Sequence, residues 1–334
     1  MSLRALTKEQ KQQLIELGLS KISNQLNMTW DEIAEEFSAV CNNLTGEKVR
    51  GLVNRERYKT GSIQGKYSSD KESILIMSDL HIPDHDEEEI LKAVRDNKHC
   101  SMVILGGDIL DCKAVSSFSD EGISLLDMEL IAGHQLITKM KEINPNCKII
   151  LVKGNHEQRC NSFFAKNAKL MGSALVETEI LYKLCNGFEV YNRNTKTRTI
   201  YPPLENVFYS GGRTFEYGDL LVNHPSTFSK IPLKTVTTMY ENRLKYKYPN
   251  ARVFMQGHTH QAGICFRDYN VVLCETGCMT FNHSYAENDD KPYSSQQLAY
   301  VTLDMKDKSV ITSTIKLHHL GATKDKYPIN KLEL

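Results

Sequence analysis

No part of the 334-residue chain stays apolar over the roughly 20 residues that a bilayer-spanning helix needs. Residues 1–8 lead into Glu9, Lys11 and Gln12 without an apolar stretch of signal-peptide length. Membrane spanning and secretion are therefore not expected, and a cytoplasmic setting is. Neither sign of charge is in excess: Lys and Arg number 41, as do Asp and Glu. That balance excludes a wholly basic nucleic-acid coat and an acidic solvating tail. The nine cysteines are an odd set, and the closest pair, Cys274 and Cys278, departs from the C-x-x-C spacing of a zinc knuckle, so reduced thiols are the simplest account. Internal repeats and low-complexity tracts are also missing. What remains is an ordinary composition, 40% hydrophobic and 25% charged. The length allows one large domain, or one domain with a smaller module.

Residues 1–58 read as helical. A first helix over 8–25 carries Leu14, Ile15, Leu17 and Leu19. A second is capped by Thr29, with Glu32 closing a capping box, and presents Trp30, Ile33, Ala34 and Phe37. A third follows Thr45-Gly46, with Val49, Leu52 and Val53 on one side and Lys48, Arg50, Arg55 and Arg57 elsewhere. This is the pattern of a small trihelical, helix-turn-helix-like module. Its basic third helix suits phosphate contacts in a DNA groove, or else forms the solvated face of a docking or oligomerisation module. Residues 59–72, with Gly61, Ser62, Gly65, Ser68 and Ser69, read as a linker. From residue 73 to 318 short apolar runs alternate with helical stretches: strands at 74–77, 102–105 and 149–152, helices at 87–97 and 125–143. Successive β-α-β units follow from that order. Later strands at 220–223, 253–256, 271–275 and 298–303 have fewer helices between them, which predicts a second, more antiparallel sheet. Residues 194–212 read as an irregular solvated loop, or else as a substrate-facing one with Lys196 and Arg198 in it, and 319–334 as a C-terminal tail.

The strand ends carry the chemistry. Asp79-Leu80-His81, Gly106-Gly107-Asp108, Gly154-Asn155-His156-Glu157, His224 and Gly257-His258-Thr259-His260 each follow an apolar run. In an α/β sheet the carboxyl ends of the strands form one rim, so these groups can converge on a ligand. Mixed His, Asp and Asn donors suit borderline or hard divalent cations, manganese first among them, with Fe, Zn, Ni or Co as alternatives. A carboxylate bridging two such ions would set them about 3.5–4 Å apart. Two divalent ions outweigh two Asp carboxylates and a hydroxide, so the site attracts an anion such as phosphate.

In that order, D-x-H, G-D-x-x-D, G-N-H-E, a single H and G-H-x-H, the residues resemble the calcineurin-like metallophosphoesterase superfamily over roughly residues 72–318. The resemblance implies an α/β fold, a four-layer α-β-β-α sandwich, here preceded by the small all-α domain. It implies one metal on Asp79, His81, Asp108 and His260, and a second on Asp108, Asn155, His224 and His258. Asp108 and a nucleophilic hydroxide would bridge the two. His156 would stabilise or protonate the leaving group, and Asp111 would orient His156. Arg159 could clamp a phosphate oxygen, although arginines so placed also pair with Glu or cap helices. Cys112 and Lys113 stand where serine/threonine phosphatases of the superfamily have Arg, which argues against a phosphoprotein site. With Glu275-Thr276-Gly277-Cys278, the block spacing looks most like the phosphoesterases of phages and bacteria. The expected activity is hydrolysis of a phosphate ester, extending to a DNA phosphodiester as a nuclease if the N-terminal module binds DNA. The alternatives are a phosphomonoesterase or small-nucleotide phosphodiesterase, and a DNA-binding regulator with an inactive phosphoesterase fold.

Overall fold

The computed structural model describes residues 7–22, 28–38, 44–46, 48–49, 53, 71–115, 125–171, 179–192, 194–268, 270–280 and 296–320. The chain divides into two compact units, Met1–Gly65 and Lys66–Leu334.

In the first unit, helix α1 spans Lys8–Ile22 and α2 spans Trp30–Glu36. Thr29 Oγ1 accepts the backbone N–H of Glu32, and the Thr29 N–H donates back to the Glu32 carboxylate, closing the expected capping box. Leu14, Ile33, Ala34, Phe37, Val49 and Val53 form one buried cluster, so the apolar stripes of three segments meet. Asp31 accepts the Gly46 N–H at 3.0 Å and fixes the entry to the third segment. Lys48 is exposed. Arg50, Arg55 and Arg57, the expected helix end at 23–25 and most of the expected linker lie outside the described residues.

The second unit holds two large sheets. The first has the order β13-β12-β1-β2-β3-β6, with β14 also paired to β12. Strands β1 (Glu72–Met77), β2 (Met102–Leu105), β3 (Lys148–Leu151) and β6 (Val207–Tyr209) are parallel. Strand β12 (Ala299–Lys306) runs antiparallel to β1, β13 (Ser309–Val310) and β14 (Lys316–His319). The second sheet has the order β10-β11-β9-β8-β7, built from β7 (Thr214–Tyr217), β8 (Leu220–Asn223), β9 (Val253–Gln256), β10 (Ala262–Arg267) and β11 (Val271–Thr276). Helices α3 (Glu87–Asp96), α4 (Leu126–Ile143), α5 (Asn155–Met171) and α6 (Ile180–Asn186) accompany the first sheet. The second is covered by α7 (Lys234–Met239), which passes through a π-helical turn (Tyr240–Leu244) into a last turn (Lys245–Lys247). Val236, Tyr240 and Leu244 from this segment bury Leu221, Phe254 and Leu273 of the sheet. The result is the layered α-β-β-α sandwich.

Several expectations need correction. The second sheet is no more antiparallel than the first, because β8, β9 and β11 run parallel and only its edges reverse, and the strand expected at 298–303 is β12 of the first sheet. The helical crossover between β8 and β9 returns the chain to the same end, which fixes a parallel pair. The segment 194–212 is not an irregular loop: β5 (Thr197–Tyr201) pairs with β4 (Phe188–Asn192) in a hairpin, and β6 joins the first sheet. The Phe188 and Tyr201 rings stack with centroids 4.8 Å apart, while β5 shows mostly polar residues to solvent, which hides its strand pattern. Strand β1 begins at Glu72, inside the expected linker, because Lys71 and Ser73 both reach Asp304 on β12. Pairing of β14 likewise runs to His319, the first residue of the expected tail.

The two sheets are stapled at the strand ends away from the motif blocks. Asp219, in the β7–β8 turn, accepts the Val310 N–H at 2.7 Å, the Ser309 hydroxyl at 2.7 Å and the Arg252 guanidinium at 3.1 Å. The Tyr217 hydroxyl donates to Glu72 at 2.6 Å. Replacing Asp219 by Ala leaves the buried Val310 N–H without its acceptor. It should destabilise this unit by about 2–4 kcal/mol, read as a lower urea midpoint at unchanged metal content.

Candidate metal centre

The rim is made by chain turns that side-chain-bearing residues rarely adopt. Asp79, His81, Asp108, His258 and His260 have φ of +54°, +51°, +49°, +82° and +54°, conformations costing on the order of 1–2 kcal/mol each. Backbone bonds hold them there: the Asp79 N–H donates to Gly107 O, and the His81 N–H to Asp108 O. Close approach of the loops requires glycine, as two positions illustrate. A β-carbon on Gly154 would overlap Asp108, and one on Gly257 would overlap the Ser78 hydroxyl and the Asp79 carboxylate.

The turns bring all seven expected ligand residues together. Asp79, His81 and His260 form one group and Asp108, His224 and His258 another. In the first, His81 Nε2 and His260 Nε2 face each other at 3.1 Å, with Asp79 Oδ1 3.3 Å from His260 Nε2. In the second, His224 Nδ1 donates to Gly106 O at 2.9 Å, and its Nε2 points at Asp108 Oδ2 and Asn155 Oδ1, both 3.1 Å away. Asp108 Oδ2 also lies 3.9 Å from His81 Nε2, so one carboxylate oxygen faces both groups. Facing imidazole nitrogens repel unless a proton or a metal ion lies between them, and with Nδ1 donating to Gly106 O, His224 Nε2 meets its two oxygens favourably only as imidazolium or through a bound cation. The nitrogen and oxygen donor set fits divalent ions.

Asp111 sits behind this arrangement. Its Oδ1 is 2.9 Å from both His81 Nδ1 and His156 Nδ1, and its carbonyl also faces His156 Nδ1, at 2.8 Å. The His156 backbone N–H donates to Asp108 Oδ1 at 2.9 Å. Arg159 places Nη2 3.4 Å from His156 Nε2. The arginine therefore faces the histidine.

Electrostatics follow from burial and proximity. Burial alone would raise the carboxyl groups of Asp79 and Asp108, but neighbouring imidazoles, His224 foremost, hold both below the usual carboxylate range. Asp111 is lowered in the same way: burial opposes, and hydrogen bonds from His156 and His81 prevail. Burial would depress His156, yet Asp108 and Asp111 push it up to about 9. His258, buried and repelled by His224, falls to about 4.

Two carboxylates had no assigned role at the level of sequence. Glu157, wholly buried, accepts the N–H groups of Ile109, Leu110 and Gly154, at 2.6, 2.8 and 2.7 Å. It ties the Asp108 turn to the Asn155 turn, and burial followed by the charge of Asp108 raises it to about 7. Glu129, on α4, accepts the N–H groups of Cys112 and Lys113 just beyond Asp111. The signal for Glu157 was its place in the motif. Glu129 carried a weaker one, an acid on the buried face of a helix.

A family model described as calcineurin-like phosphoesterase matches residues 72–262. The chain belongs to the calcineurin-like phosphoesterase family. Similar solved structures include a dimetal phosphatase from Danio rerio, 12% identical with a TM-score of 0.37, covering 75% of this chain and 99% of that one. A predicted phosphoesterase from Streptococcus pneumoniae is 14% identical with a TM-score of 0.29, covering 75% and 99%. Zinc-complexed Vps29 from Entamoeba histolytica is 9% identical with a TM-score of 0.35, covering 74% and 98%. No curated protein matches the chain. Family membership and the His/Asp groups together imply divalent metals in this calcineurin-like domain. Among the described residues no helix is long and apolar enough to cross a membrane.

Substituting Gly257 by Ala should displace Asp79 and weaken metal retention by about 10–100-fold, the range for residues that support ligands. Metal analysis after dialysis against a graded chelator, with circular dichroism to verify folding, checks this.

Proposed function

We propose that the chain is a binuclear metal-dependent phosphoesterase. Asp79, His81, Asp108 and His260 hold one divalent ion, and Asp108, Asn155, His224 and His258 the other, with manganese the first choice. The observation that carries this reading is Asp108 Oδ2, 3.1 Å from His224 Nε2 and 3.9 Å from His81 Nε2, a position suited to a shared ligand. When bound, the ions supply Lewis-acid charge for the phosphoryl oxygens and activate water at neutral pH.

The chain's own side chains do the rest. His156 keeps its Nδ1 proton on Asp111, so its Nε2 is the atom that meets the substrate and passes a proton to the leaving oxygen. Asp111 fixes the orientation of both His156 and His81, and the carboxylates of Asp108 and Asp111 favour the charged imidazole. Arg159, beside His156 Nε2, is placed to take a phosphoryl oxygen. Lys113 is engaged by Asp84, so the segment after Asp111 sends no cation to the substrate, which supports an ester other than a phosphoprotein.

We extend the proposal to a nucleic-acid phosphodiester, with the N-terminal unit contributing DNA contacts through Lys48, Arg50, Arg55 and Arg57. An activated phosphodiester and its matching monoester, assayed on manganese-loaded protein, test the chemistry. Chelation should abolish the rate and manganese restore it. His156→Ala should lower kcat by about 100- to 10,000-fold, and Asp108→Asn should abolish both metal pairing and activity. A rate that survives both substitutions would belong to another site.

DNA binding by the full chain should fall steeply with salt and weaken when Arg50, Arg55 and Arg57 become Ala, as measured by fluorescence anisotropy. No binding at low salt would make the N-terminal unit a docking module.

A further inference from the structure

Beside the metal centre lies a cavity of about 240 Å³ whose wall includes the ligand residue His224. Three cations contribute to it: Arg213 from the loop before β7, Arg243 from the π-helical turn and Lys247 one turn further on. Among the described residues no carboxylate lines it. Arg213 is held in place by its backbone, whose carbonyl accepts the His224 N–H at 2.9 Å, and by Nη1, which donates to Ser226 Oγ at 2.9 Å. Its Nε and Nη2 are buried without an acceptor among the described residues. Buried guanidinium N–H groups without acceptors are costly. Arg213 also feels the like charge of Arg243, against the opposing pull of the Asp108 and Glu157 carboxylates. An anion with several oxygens relieves both, and the guanidinium fork matches phosphate.

We propose that this cavity binds a second phosphate group of the substrate, next to the phosphate that is hydrolysed. This rests on the phosphoesterase reading and deepens it, because it makes the substrate a molecule with at least two phosphates. Two sources share that chemistry: a nucleic-acid strand, where the second group is the neighbouring phosphodiester, and a nucleoside polyphosphate, where it is joined by an anhydride. No bond is made or broken in the cavity. The interruption of the helix at Tyr240–Leu244 fits this use, since π-helical turns frequently accompany functional sites.

The first test is independent of catalysis. Metal-free protein titrated with inorganic pyrophosphate in a calorimeter should show saturable, salt-sensitive binding. Binding should weaken by about tenfold or more in Arg243→Gln/Lys247→Gln, and Arg243→Lys should recover part of it. Both residues are exposed, so folding should survive their substitution. Absence of saturable binding up to about 10 mM, or binding indifferent to the substitutions, overturns the proposal. The second test compares, on manganese-loaded protein, the nitrophenyl ester of thymidine 5′-phosphate with forms bearing an added 3′-phosphate or a pyrophosphate linkage. The expected result is a higher kcat/KM with one of the added groups, and a ratio that collapses toward one in Arg243→Gln/Lys247→Gln. An advantage from the 3′-phosphate identifies a strand, and one from the pyrophosphate a nucleoside polyphosphate. Hydrolysis of the plain ester without any such advantage overturns the second-phosphate site and leaves the phosphoesterase reading intact. Failure to hydrolyse any ester defeats the phosphoesterase reading, and the calorimetric result then decides the cavity by itself.

Discussion

The carboxylate of Asp108 stands where two sheets would otherwise meet in mutual repulsion of imidazole nitrogens and oxygens. One oxygen faces His81 and His156 from the first sheet and His224 from the second, while the other accepts the His156 N–H. Every nearby turn is arranged around it. Glu157 binds the backbone on both sides, Gly154 leaves room for its side chain, and Asp111 aims two of its histidine neighbours. At the opposite strand ends Asp219 and the Tyr217–Glu72 bond hold the sheets in register. The sandwich is thus fastened at both ends, by neutral and single-charge hydrogen bonds at one and by groups that call for divalent charge at the other.

Much of this was readable from residues alone, for a physical reason. Strands β2, β8 and β9 are short, fully buried and bounded by turn residues, so their limits coincide with their apolar runs. The ligand residues follow those runs because only the ends of the strands reach the rim. Where a strand is half exposed, as β5 is, or only three residues long, as β6 is, apolar patterning gives no such mark. Direction was also hidden: β8, β9 and β11 have the same composition whether parallel or antiparallel, and only the connections between them decide.

Side chains that act through the backbone were the hardest to anticipate. Glu129 lies on a helix and holds two N–H groups of a loop before it in sequence, a relation with no local spacing to betray it. The same holds for the three cations around the cavity, which come from a loop and from two turns of a helix about thirty residues later. Ligand blocks are legible because metals demand particular residue types at strand ends. A cluster of ordinary basic residues becomes a feature only when folding brings it together.

The left-handed turns at the rim also restrict which metals this architecture can be adapted to. Asp and His tolerate positive φ better than most side chains, Asn with them, and these are the residue types that ligate hard and borderline ions. Cysteine is not among the residue types enriched there, although Cys112 beside the rim does adopt φ +53°. Converting the centre to thiolate ligation would therefore change the donor atoms and place a less favoured residue type at five left-handed positions. The site's choice of metal class is written into its chain geometry as much as into its donor atoms.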